Sequence, residues 1–129
     1  MFKQNKKVLN FKHEVRIIKF NLEFRKGILF VRIENTINKS DFDINKESLD
    51  NIIKKIGIKY IVLNFNEIKQ NDYFNIKFII NNYNLIKKNH GKLFLCGDID
   101  NNLSNMFLKM KIDKLSSEIE VFRRLKEEI

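Results

Sequence analysis

Proline and tryptophan are absent from this 129-residue chain, cysteine occurs once, histidine twice and glycine four times. Each shortage closes off a class of protein. A single cysteine forms no internal disulfide framework, and no cysteine–histidine spacing builds a zinc site. Cys96 lies inside an apolar run, which reads as a buried thiol in a reducing, intracellular setting. The glycines all stand singly, so no loop of the usual phosphate-cradling kind can form. No serine has the glycine-flanked elbow of a hydrolase. No apolar segment approaches membrane-spanning length, and the basic start Met1–Lys7 has no signal-peptide core behind it. A cytoplasmic protein without membrane insertion is expected.

What is abundant is positive charge, +9 formally. Lysine, asparagine, isoleucine and phenylalanine dominate, as when AT-rich codons shape a surface, so much of the charge reads as solvated faces. Its distribution is more telling. Lys3, Lys6, Lys7, Lys12, Arg16, Lys19, Arg25 and Lys26 are offset only by Glu14 and Glu23, so about two thirds of the excess lies in the first 26 residues. Residues 1–14 have no sustained period and read as a basic arm; residues 15–129 suffice for one domain with one core.

The pattern beyond the arm alternates strands with helices. Ile18, Phe20, Leu22 and Phe24 alternate with polar residues, Arg25-Lys26-Gly27 suits a tight turn, and Ile28–Glu34 is a second strand, which predicts an N-terminal β-hairpin. Asn35–Asn45 reads as a loop. Asn45 or Ser48 then caps a helix with Leu49, Ile52, Ile53 and Ile56 on one face, stopped by Gly57. Tyr60–Phe65 is a buried parallel strand, Asn66–Asn71 a polar loop, and Asp72 caps a helix whose Ile76, Ile79, Ile80, Tyr83 and Ile86 form a stripe. Gly91 supplies its left-handed stop before the strand Lys92–Gly97, completing a βαβ unit. Asp98 or Asp100 caps a short helix with Leu103, Met106, Phe107 and Met110. Lys111–Leu115 is a weak strand, and Ser116 or Ser117 caps a last helix with Ile119, Phe122 and Leu125. The fold class is α/β: a mixed sheet of four to five strands with about four helices packed on it.

Few residues point to chemistry. His13 falls in the arm and His90 at a helix end beside Gly91, which suits exposure or capping rather than catalysis. Asp98 and Asp100 suit helix capping better than metal binding, because no third ligand accompanies them. No enzyme, no cofactor and no metal is expected.

The order of elements, and the run from Tyr60 to Gly97 above all, resembles the STAS domain, the fold of bacterial anti-sigma factor antagonists. Ile61-Val62-Leu63-Asn64-Phe65 matches that family's Ile-Val-Leu-Asn-Leu strand. Asp72 falls on the aspartate of its Asp-Ser-Ser-Gly-Leu-Gly motif and Ile76 on the leucine, and the match continues through Gly91 and Cys96 without a gap. The resemblance spans roughly residues 22–126 and implies a regulatory protein-binding module. In phosphoregulated members the residue after the aspartate is a serine that a partner kinase, itself the anti-sigma factor, phosphorylates. Here that position is Tyr73, and Phe74, Asn75 and Lys77 replace a hydroxyl residue and two glycines. The switch that would add about −1.5 to −2 charge at the helix start is expected to be lost, leaving Tyr73 as a degenerate phosphorylation position.

Phe74, Phe78 and Leu85 give the same helix a second apolar face, either packed on a neighbouring helix or exposed to a partner. A partner-binding surface of Asp72, Tyr73, Phe74, Asn75 and Phe78 is therefore expected, its partner a serine kinase anti-sigma factor or a signalling complex. Two alternatives remain: a STAS subunit of a membrane transport system, or nucleic-acid binding by the arm through Lys6, Lys7, Lys12 and Arg16.

Overall fold

A computed structural model of the protein describes residues 20–33, 37–69 and 71–128. The basic arm with Lys6, Lys7, Lys12 and Arg16 lies outside the described residues. The elements run β1 (Phe20–Arg25), β2 (Ile28–Ile33), α1 (Lys39–Ile56), β3 (Tyr60–Ile68), α2 (Tyr73–Lys88), β4 (Lys92–Ile99), α3 (Asn101–Lys109), β5 (Asp113–Leu115) and α4 (Glu120–Glu128). The five strands form one sheet in the order β1-β2-β3-β4-β5. β1 is antiparallel to β2 and the other pairs are parallel. The hairpin closes through Lys26 and Gly27, at φ 54° and 80°, the two left-handed residues that a tight hairpin turn requires.

Strand alternation divides the core into two layers. Leu29, Val31, Ile61, Leu63, Leu93 and Leu95 face α1, α2 and α3. Ile28, Phe30, Val62, Phe94 and Cys96 face α4, which contributes Val121, Phe122 and Leu125. Burying the central strands on both sides is why β3 and β4 read as continuous apolar runs. β1 is an edge strand, and only Phe20 of its inner row is covered. Leu22 and Phe24 stay exposed on the helix side.

Several boundaries differ from the sequence reading, each for a local reason. α1 begins at Lys39, inside the segment read as a loop. Asn38 Oδ1 accepts the Asp41 N–H at 2.8 Å and caps it, displacing Asn45 and Ser48 from that role. Phe42, seven residues before Leu49, is the buried anchor of the added turns, whereas Ile56 is exposed. Gly57 is left-handed at φ 72° and ends the helix as expected. β3 continues through Asn66–Ile68, with an irregularity between Asn64 and Glu67, where a polar loop was expected. The last helix begins at Glu120, so Ile119, read as part of its apolar face, lies just before it and is exposed. Val121 is buried, and Ser116 donates both its N–H and its hydroxyl to Glu120.

The end of α2 also differs. His90, at φ 60°, is the left-handed residue, and Gly91 serves a different need. A Cβ on Gly91 would lie 2.0 Å from the Lys59 carbonyl oxygen. At the other end of the same strand pair, a Cβ on Gly97 would lie 1.9 Å from the Phe65 carbonyl oxygen, and Gly97 has φ 122°. Both positions therefore exclude any side chain. Gly97→Ala is expected to destabilise the fold by about 3 kcal/mol or more, measured by chemical denaturation. Gly27→Ala, where open space surrounds the added methyl, should cost about 1 kcal/mol.

Candidate partner-binding corner at the start of α2

The corner forms where β3 leaves the sheet and α2 begins. Asp72 occupies the N-cap position, but its carboxylate turns away from the helix and accepts the Lys69 N–H at 2.8 Å. Its backbone carbonyl takes the first helical bond, from the Ile76 N–H at 3.0 Å. The carboxylate thus fixes the loop before α2 rather than capping the helix.

The next two residues build a raised aromatic surface. Tyr73 is 63% exposed, and its ring stands edge-on to Phe74, with centroids 4.9 Å apart. Phe74 is half-buried and tilts against Phe42 of α1 at 5.8 Å. Lys77 lies over this group, its Nζ 5.1 Å from the Phe42 centroid, 5.6 Å from Tyr73 and 6.0 Å from Phe74. An ammonium held among three ring faces orders the exposed aromatics. Beside Tyr73, a cavity of about 450 Å³ is lined by Asn71, Tyr73, Ile76, Lys77 and Ile80.

Two of the five expected contact residues are interior. Phe78 is 1% exposed and packs on Phe20 at 5.0 Å, between the helix and the sheet edge. Asn75 is equally buried, and its Oδ1 accepts the Ile37 N–H at 2.8 Å, tying α2 to the chain entering α1. The second apolar face of α2 is therefore largely a packing face, and α1 lies along the helix. Asp72, Tyr73 and Phe74 remain at the surface. Lys77, Ile76 and Ile80 join them, and their i, i+3, i+4, i+7 spacing from Tyr73 was the available signal.

A second polar cluster lies on the α4 side of the sheet, along the row Asn21, Arg32 and Asn64. Arg32 donates to both carboxylate oxygens of Glu118, from Nε at 2.9 Å and Nη2 at 2.8 Å. It also reaches Glu23 at 2.9 Å and Asn21 at 3.1 Å, while Asn64 Nδ2 donates to Glu118 at 2.7 Å. The Arg32 hydrogen bond holds the Glu118 carboxyl below its ordinary range, and the same contacts keep the guanidinium protonated. This network fastens the start of α4 to the sheet. Cys96 is buried nearby, and burial raises its thiol to about 11, which leaves it unreactive at neutral pH. No group of three metal-ligating side chains occurs among the described residues.

Fold and corner together define a small α/β module with an exposed aromatic corner at the start of α2. A family model described as STAS domain matches residues 19–127. The chain belongs to the STAS domain family. A search of curated proteins found no match to the sequence.

Two measurements follow from the geometry. Phe78→Ala should cost about 3–5 kcal/mol, whereas Tyr73→Ala should stay within about 0.5 kcal/mol of the native chain, both by denaturant titration. Because its folded carboxyl is depressed, Glu118 contributes stability that is present above the ordinary carboxylate range and lost as pH falls through the folded value. Glu118→Gln should therefore flatten the acid side of the stability–pH curve, and an unchanged slope would remove Glu118 from that account.

Proposed function

We propose that this protein is a non-enzymatic STAS-type regulatory module that binds another protein through the Asp72-Tyr73-Phe74 corner. STAS domains often mediate protein–protein contacts and are generally non-enzymatic. Among the described residues no helix is long and apolar enough to cross a membrane. The observation that carries the reading is the exposed Tyr73 ring, edge-stacked on Phe74 and steadied by Lys77 next to an apolar hollow. A large aromatic held in one orientation loses little entropy on binding, which is the property of an interface anchor.

The resemblance to anti-sigma factor antagonists suggests a bacterial signalling partner, a serine kinase of the anti-sigma type or a complex related to it. Control by serine phosphorylation does not operate at this corner. α2 contains no serine or threonine, and the position that would carry the hydroxyl holds Tyr73. The phenol oxygen stands well beyond the reach of a serine hydroxyl, so a kinase site shaped for serine would not meet it. The corner thus acts as a constitutive docking surface in the cytoplasm.

The test is affinity capture from the native cell, identification of the bound protein, and titration of the purified pair. Tyr73→Ala is expected to weaken binding by about tenfold or more while the chain keeps its native melting curve. Retained affinity in a folded Tyr73→Ala protein would remove the corner from the interface.

A further inference from the structure

The opposite pole of α2 carries a second candidate site. A cavity of about 580 Å³ opens where β3, β4 and β5 begin and where α2 and α3 end, a volume in the range of small-molecule sites. Its inner wall is apolar, formed by Ile86, Leu93 and Met110, and Tyr60 stands at its edge. Its rim carries the cations Lys87, Lys92 and Lys111 together with the His90 imidazole. Asp113 is the one carboxylate in the lining, and it is already engaged by Lys92 at 3.2 Å and Arg124 at 3.3 Å. Among the described residues, no carboxylate is paired with Lys87 or Lys111. Lys87 rests its ammonium 5.4 Å from the Tyr83 ring centroid.

The backbone supplies an independent observation. Of the three non-glycine residues with positive φ among the described residues, His90 (60°) and Lys111 (66°) both line this cavity. Each follows the end of a helix, at a position where glycine fits the left-handed conformation without strain. The chain accepts strain at both positions and gains a nitrogen-bearing side chain on the same rim each time, the His90 imidazole and the Lys111 ammonium. Lys87, Lys88 and Lys109 already complement the negative ends of α2 and α3, so helix ends alone do not account for His90 and Lys111. Side chains kept against backbone preference around one concavity are characteristic of ligand sites.

We infer that this cavity binds a small amphiphilic anion, a phosphate or carboxylate head held by His90, Lys111 and Lys87 with an apolar body against Ile86, Leu93 and Met110. The probe is phenyl phosphate, titrated into the full chain while amide NMR spectra are recorded. A parallel arm measures sedimentation with phosphatidylcholine vesicles with and without phosphatidic acid, which distinguishes a free ligand from a lipid head group. Saturable shifts confined to residues 86–92 and 108–111, or sedimentation that requires phosphatidic acid, are expected. The double variant His90→Gly/Lys111→Gly should melt no lower than the native chain and bind at least about tenfold more weakly. Lys111→Gln, which removes charge but keeps side-chain bulk, should weaken binding in the same direction. Full binding by these variants, no response in either arm, or equal shifts from inorganic phosphate at the same concentration would overturn the assignment.

Discussion

The close parallel pairing of β3 with β4 is the constraint on which the rest of the molecule depends. At the Lys59–Gly91 end and again at the Phe65–Gly97 end, the two backbones approach so closely that no Cβ fits at Gly91, just before β4, or at Gly97 within it. Between those points Tyr60–Asn64 and Lys92–Cys96 stay in continuous register. The side chains of both strands alternate between the layer under α1, α2 and α3 and the layer under α4. Because α2 must leave β3 and return to β4 over this fixed pair, its two ends are placed at opposite poles of the sheet. One pole carries the aromatic corner, the other the cationic cavity.

The same constraint explains the chemistry of the corner. A helix that packs on the sheet and also on α1 needs two buried faces, and Phe78, Ile79, Leu85 and Ile86 supply them. Asn75 is interior as well, and its bond to the Ile37 N–H fixes the start of α2 against the chain that enters α1. With those positions committed to packing, the surface left exposed at this corner is narrow. It consists of Tyr73, the outer edge of Phe74, Lys77, and the hollow by Ile76 and Ile80. This small surface is held in place by interior residues, Asn75 and Phe78 among them.

Much of the fold was legible because burial on both faces leaves an apolar signature. Ile28–Glu34, Tyr60–Phe65 and Lys92–Gly97 announce strands, and Gly57 marks a helix end. The start of α1 was hidden because Phe42, which anchors its first turns, stands among Lys39, Ser40, Asp41 and Asp43, which read as a loop. The last residues of β3 were hidden because Asn66 and Glu67 are solvated although their backbone stays in the sheet. At the corner, Asp72, Tyr73 and Phe74 could be found from sequence. Phe78 could not be sorted, since periodicity shows that a face is apolar but not which element covers it. His90 was likewise invisible as the left-handed residue, because Gly91 beside it is the obvious candidate until the approach of Lys59 shows that Gly91 is required for space.

The claim that the Tyr73 corner is the docking surface is tested most directly by hydrogen–deuterium exchange on the complex with the captured partner. Added protection over residues 71–77, with the edge strand β1 and residues 86–92 unchanged, is the predicted footprint. Protection elsewhere with residues 71–77 exchanging as in the free chain would contradict it.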